Sequence, residues 1–122
     1  MPTQDWWNAL FAAIDGRDTP AFLGFLTDDA EFRFGSHPSA HGRDAIGEAV
    51  AGFFGMIGGC SHRQVRTWQD GAHVACQGEV TYTRLDGSQV TLPFVNVFEM
   101  RGEKVARYLI YNDLAPLFAP AA

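Results

Sequence analysis

A chain of 122 residues is the size of one domain and can build one real apolar core, so the whole of 1–122 is expected to fold as a single unit. Its formal charge of −5 and pI near 5.1 argue against the clustered Lys and Arg that a nucleic-acid or anionic-membrane surface needs. No apolar run reaches the ~18–20 residues of a membrane span, and acidic Asp5 stands where a signal peptide carries positive charge. A cytoplasmic location is therefore expected.

Ten Phe, three Trp and three Tyr are a heavy aromatic load for this length. Much of that builds a core, and the surplus suits a cavity for a flat apolar ligand. The first helix is expected to start at Thr3, with Asp5 in its first turn and Trp6, Trp7, Leu10, Phe11 and Ile14 at helical spacing until Gly16. Thr19-Pro20 reads as a cap followed by a first-turn proline, opening a short helix that buries Phe22, Leu23, Phe25 and Leu26. Thr27-Asp28-Asp29 then ends it, and Glu31-Phe32-Arg33-Phe34 reads as a strand.

Gly35 to Gly42 reads as a loop that carries His37 and His41. From Arg43 a third helix places Ile46, Val50, Phe53, Phe54 and Ile57 on one face. After Gly58-Gly59 the period changes to two. Ser61 to Trp68, Ala72 to Thr83, Val90 to Met100 and Lys104 to Asn112 are four successive strands. They are joined at Asp70-Gly71, Asp86-Gly87 and Arg101-Gly102, connections short enough to force an antiparallel meander. The fold class is α+β: three N-terminal helices against a curved, mainly antiparallel sheet. The tail from Leu114 is expected to fray, with Leu117 and Phe118 tucked against the body.

Within Val90 to Met100, the positions Val90, Leu92, Phe94, Phe98 and Met100 form one apolar face, broken at Asn96. A buried amide without a partner is destabilising by about 1–3 kcal/mol, so something must meet it. One reading is a neighbour within the core; the other is a ligand oxygen. Val74, Cys76, Gly78, Val80 and Tyr82 make the inward set of the preceding strand, which turns Glu79 to solvent or a partner. A one-residue slip would turn Glu79 inward as a carboxylate with a raised pKa, a candidate base. His37 is a second candidate base, beside the reading of both loop histidines as solvated. The spacing of His37 and His41 across Pro38 is not helical and implies no metal pair. His62, Arg63 and Arg66 read as a solvated strand face. Cys60 and Cys76 show neither metal nor redox spacing and fall out of register across the hairpin, so both are expected to be free thiols.

The runs Leu26-Thr27-Asp28-Asp29-Ala30-Glu31-Phe32, His41-Gly42-Arg43-Asp44-Ala45-Ile46 and Phe94 to Met100, with Lys104 to Tyr108 continuing to Tyr111-Asn112-Asp113, resemble the nuclear transport factor 2-like superfamily and its SnoaL-like branch. The resemblance spans Trp6 to Phe118 and implies a cystatin-like conical half-barrel on a mixed sheet, enclosing one pocket, usually in a homodimer. It implies a lining from Phe32 and Phe34, from Phe54, from Val80 and Tyr82, from Phe94, Asn96 and Phe98, and from Tyr108, Ile110 and Asn112. It also implies that Val105, Leu109 and Tyr111 face outward beside Arg107. The base of the related ketosteroid isomerases would fall on Phe34, their oxyanion-stabilising aspartate on Asn96, and an aspartate of limonene-epoxide-hydrolase-like members on Ile110.

Two function classes follow. One is a cofactor-free isomerase, cyclase or hydrolase acting on a small, apolar, cyclic carbonyl compound. In it Asn96, with Tyr82 or Tyr108, polarises an oxygen, and His37 or Glu79 moves the proton. The other is a non-catalytic ligand-binding or dimeric association domain, with Phe34 and Ile110 where relatives carry acids. A small apolar ligand and a homodimer through the outer sheet face are the expected partners, with no metal or cofactor.

Overall fold

Thr3 and Asp18 open the first two helices by the same device. The Thr3 hydroxyl accepts from the Trp6 N–H at 3.1 Å, and the Asp18 carboxylate accepts from the Ala21 N–H at 3.1 Å. Asp18 thus takes the capping role expected of Thr19, which lies inside the helix. The computed structural model describes residues 2–119. In chain order the elements are α1 (Gln4–Asp15), α2 (Thr19–Leu23), β1 (Leu26–Phe34), β2 (Ala40–His41), α3 (Arg43–Phe54), β3 (Gly59–Asp70), β4 (His73–Thr83), β5 (Gln89–Arg101), β6 (Lys104–Tyr111) and α4 (Ala115–Phe118).

The four long strands form the expected meander, and the six-stranded sheet runs β2-β1-β6-β5-β4-β3. β1 lies parallel to β6 while the other pairings are antiparallel, so the sheet is mixed. It curls without closing into a half-barrel. The period-two reading of β4 and β5 holds at each inward position: Val74, Cys76, Gly78, Val80 and Tyr82 are buried, as are Leu92, Phe94, Asn96 and Phe98. α1, α2 and α3 close the concave side, and Trp7, Leu10, Phe22, Ile46 and Val50 join the core there.

β1 starts earlier than expected. Asp28 and Asp29 lie within it instead of ending a helix, because β1 pairs with β6 from Leu26 onward, and each has a cation across the fold: Asp28 with Arg43 at 2.9 Å and Asp29 with Arg101 at 3.1 Å. Leu26 opens β1 opposite Val105 of β6 and is fully buried. The Gly35–Gly42 loop contributes the two-residue β2, paired to Glu31 and Phe32. Val105, expected outside, is buried, because the register of β5 with β6 shifts between Glu99 and Met100. In the tail, Leu117 is buried as expected, Phe118 is exposed, and Arg84 donates to the Pro116 and Leu117 carbonyls. The rest of the expected fraying, at 120–122, lies outside the described residues. Cys60 and Cys76 are both free thiols. Among the described residues no helix is long and apolar enough to cross a membrane.

Candidate functional site

The concave side of the sheet holds a cavity of about 50 Å3. Nine of the expected side chains reach it together with Asn96: Phe32 and Phe34, Phe54, Val80 and Tyr82, Phe94, then Tyr108, Ile110 and Asn112. Phe98 does not. Its ring is turned toward α1, stacked on Trp7 at 5.4 Å and against Tyr108 at 4.2 Å, so Tyr108 stands between it and the hollow.

Asn96 is 3% exposed, and its Oδ1 meets no donor among the described residues. Asn112 Oδ1, on the same cavity, is likewise unmatched. A satisfied core amide is therefore not what the fold provides. Burial pushes the phenols of Tyr82 and Tyr108 well above the ordinary tyrosine range, so both remain protonated donors at neutral pH. The cavity thus joins apolar rings to a few unspent polar atoms.

The residue that sequence reasoning missed is His62. It does not share a solvated face with Arg63 and Arg66 but points inward from β3 and lines the cavity with Cys60. Its Nδ1 lies 2.5 Å from Asp15 Oδ1, and its backbone N–H donates to Asp15 Oδ2 at 3.0 Å. The side chains are 10% and 27% exposed. Asp15 is the last residue of α1, so the helix end delivers the carboxylate and the strand delivers the ring. Phe11 stacks on the imidazole at 5.1 Å and Phe94 meets its edge at 5.4 Å.

Gly78 makes this possible, because a Cβ there would sit 2.8 Å from the Phe94 ring and 2.3 Å from the Arg63 carbonyl oxygen. With Nδ1 committed to the carboxylate, Nε2 is the ring nitrogen left for a ligand. The alternation Cys60, His62, Gln64 was the available signal for the inward turn. The pairing with Asp15, 47 positions away, had none.

The two bases expected from sequence are elsewhere. Glu79 takes the outward register and pairs with Arg63, so it cannot serve the cavity. His37 is exposed on the loop after β1 and lines an outer groove instead. Asp15, Cys60 and His62 do bring three metal-capable donor atoms within 4.8 Å of one another. Cys60 is held as a thiol by burial first and by the Asp15 charge second, which push it up to about 12. Its Sγ–H donates to the Ile14 carbonyl at 3.6 Å.

No curated relative matches the chain. Among solved structures, TerC co-crystallised with polyporic acid is similar at 24% identity and a TM-score of 0.81, covering 96% of this chain and 95% of that one. A hypothetical protein with a ketosteroid isomerase-like fold from Catenulispora acidiphila, in complex with trimethylamine, is 19% identical with a TM-score of 0.83 and coverage of 93% and 88%. A protein from a Jannaschia species, assigned as a SnoaL-like polyketide cyclase, is 18% identical with a TM-score of 0.80 and coverage of 94% and 90%. At these identities the likeness shows the fold alone. The sequence profile of the SnoaL-like domain matches residues 7–108, and the chain belongs to that family.

Proposed function

We propose that this protein is a cofactor-independent acid–base enzyme acting on a small, planar, mostly apolar carbonyl compound with an enolisable hydrogen. The observation that carries the reading is the Asp15–His62 pair facing the same cavity as the unmatched Asn96 carboxamide. His62 Nε2 takes the proton from the carbon beside the carbonyl, and Asp15 holds the tautomer and balances the imidazolium that forms. The Asn96 amide has both a donor and an acceptor, so it fits the substrate oxygen as enolate and as enol. Tyr82 and Tyr108 add neutral O–H donors. Polyporic acid in TerC and the cyclase assignment of the Jannaschia protein support a ring-bearing carbonyl substrate.

The test is hydrogen–deuterium exchange at the α-carbon of 1-tetralone and related aryl ketones, followed by NMR. The wild type is expected to accelerate exchange, and His62→Gln to lose about 10²–10⁴-fold of it while remaining folded at the assay temperature. Equal exchange by both proteins would overturn the assignment. Phe34 and Ile110 stand in the cavity where relatives carry acids, which favours a second reading as a binding protein. Ligand-induced stabilisation without any exchange would select that reading. The exposed Val65, Trp68 and Tyr111 side chains support pairing of two copies through the outer sheet face.

A further inference from the structure

The cavity beside His62 is too small for the ligand just described. Its volume is about 50 Å3, whereas an apolar cavity of roughly 150 Å3 is what takes one benzene ring. A second space of about 450 Å3 lies against it. Phe32, Phe34 and Phe53 line both, so these rings are the partition between the two. The far wall of the larger space is apolar, built from Gly52 near the end of α3, from Met56 in the turn after it, and from Leu114 and Phe118 in the C-terminal segment. Met56 and Phe118 stand about half exposed, which is apolar surface that something else can cover.

The geometry points to the outer groove as the second half of the ligand site, holding the apolar extension of the molecule whose oxygen meets Asn96 inside. This rests on the reading above and narrows the substrate class: a polar-headed ring carrying an alkyl chain or a second ring. Phe53 is the movable part of the partition. It is the penultimate residue of α3, half-buried, 4.8 Å from the Phe34 ring and 5.7 Å from Tyr82. Turning one half-buried ring about its own side-chain bonds joins the two spaces and leaves the helix in place. The occupant is a small molecule rather than a protein segment, because only a ring and not a chain wall separates the groove from the cavity that holds the unmatched carboxamide.

Gly52 provides a clean test. A Cβ there meets nothing within 4 Å, so the backbone accepts a side chain, and Gly52→Leu places a branched apolar group in the groove and replaces a poor helix former. The probes are 4-ethylphenol and 4-heptylphenol, whose hydroxyl stands in for the enol, with binding measured by calorimetry. In the wild type, affinity is expected to rise at least about tenfold from the short to the long chain, since each buried methylene adds binding. In Gly52→Leu that gain is expected to vanish, while 4-ethylphenol, its ring seated in the inner cavity as enlarged by the turn of Phe53, binds within about twofold of wild type. A gain that persists in Gly52→Leu, or no gain in the wild type, would overturn the assignment of the groove while leaving the inner site standing. Failure of both phenols to bind the wild type would overturn the inner-site reading and the groove with it.

Discussion

Asn96 shows at the scale of one residue how a binding site costs stability. Its buried Oδ1 has no donor, and an unsatisfied buried acceptor is destabilising by about 1–3 kcal/mol. Asn96→Leu, alike in branching, without polar atoms and with the cavity beside it to take the larger methyl groups, is therefore expected to raise the unfolding free energy by roughly that amount and to abolish binding of 4-ethylphenol. Urea denaturation and calorimetry on the same variant check both halves. A loss of stability would mean that the carboxamide has a partner in the folded chain. Gly78 makes the opposite case. Its missing Cβ admits the Phe94 ring that flanks His62, and Gly78→Ala is expected to cost about 1–3 kcal/mol by overpacking. Because the disturbance passes through Phe94, α-proton exchange should fall more than stability alone predicts.

At the scale of elements, β1 has ion pairs on its carboxylates in addition to its backbone pairing with β2 and β6. The Ser39 hydroxyl, and after it Arg107, keep the Glu31 carboxyl below the ordinary glutamate range against a desolvation that would raise it. Thr27 and then Arg101 do the same for Asp29. A depressed carboxylate stabilises the fold fully above its unfolded-state pKa, about 4, and loses that contribution as pH falls through the lower folded value. Melting temperature should therefore hold steady down to about pH 4–5 and fall below it, and Glu31→Gln should flatten that fall; an unchanged slope would remove Glu31 from the clamp. These long-range partners explain what the sequence did not reveal. The alternation in β4 and β5 was legible because each position answers only to its own strand, and it placed Asn96, Tyr82 and Glu79 on the right sides. The start of β1 was not legible, because its partner there is Val105 of β6, far along the chain. His62 fell between the two cases: its parity was readable, but the Asp15 that gives it a role arrives on a helix end.

For the molecule as a whole, the two faces of one curved sheet have different work. The concave face encloses the cavity, while the convex face leaves Val65, Trp68 and Tyr111 in the open. The pairings Trp68 with Ala75 and Tyr111 with Val95 put those rings on the side opposite Val74 and Asn96. Arg66 lies 5.9 Å over the Trp68 ring, and Arg33 lies 5.4 Å over Tyr111 and donates to its hydroxyl at 3.0 Å. These guanidinium contacts hold both rings against the sheet, which lowers the entropic cost of ordering them in an interface. Two copies meeting back to back would bury this apolar area and leave both cavity mouths open. Light scattering at micromolar concentration should return twice the 13.4 kDa of one chain. Trp68→Asp should return a monomer that still binds 4-ethylphenol, since Trp68 does not line the inner cavity. A monomeric wild type would show that the convex face serves some other contact, and a Trp68→Asp dimer would place the interface elsewhere.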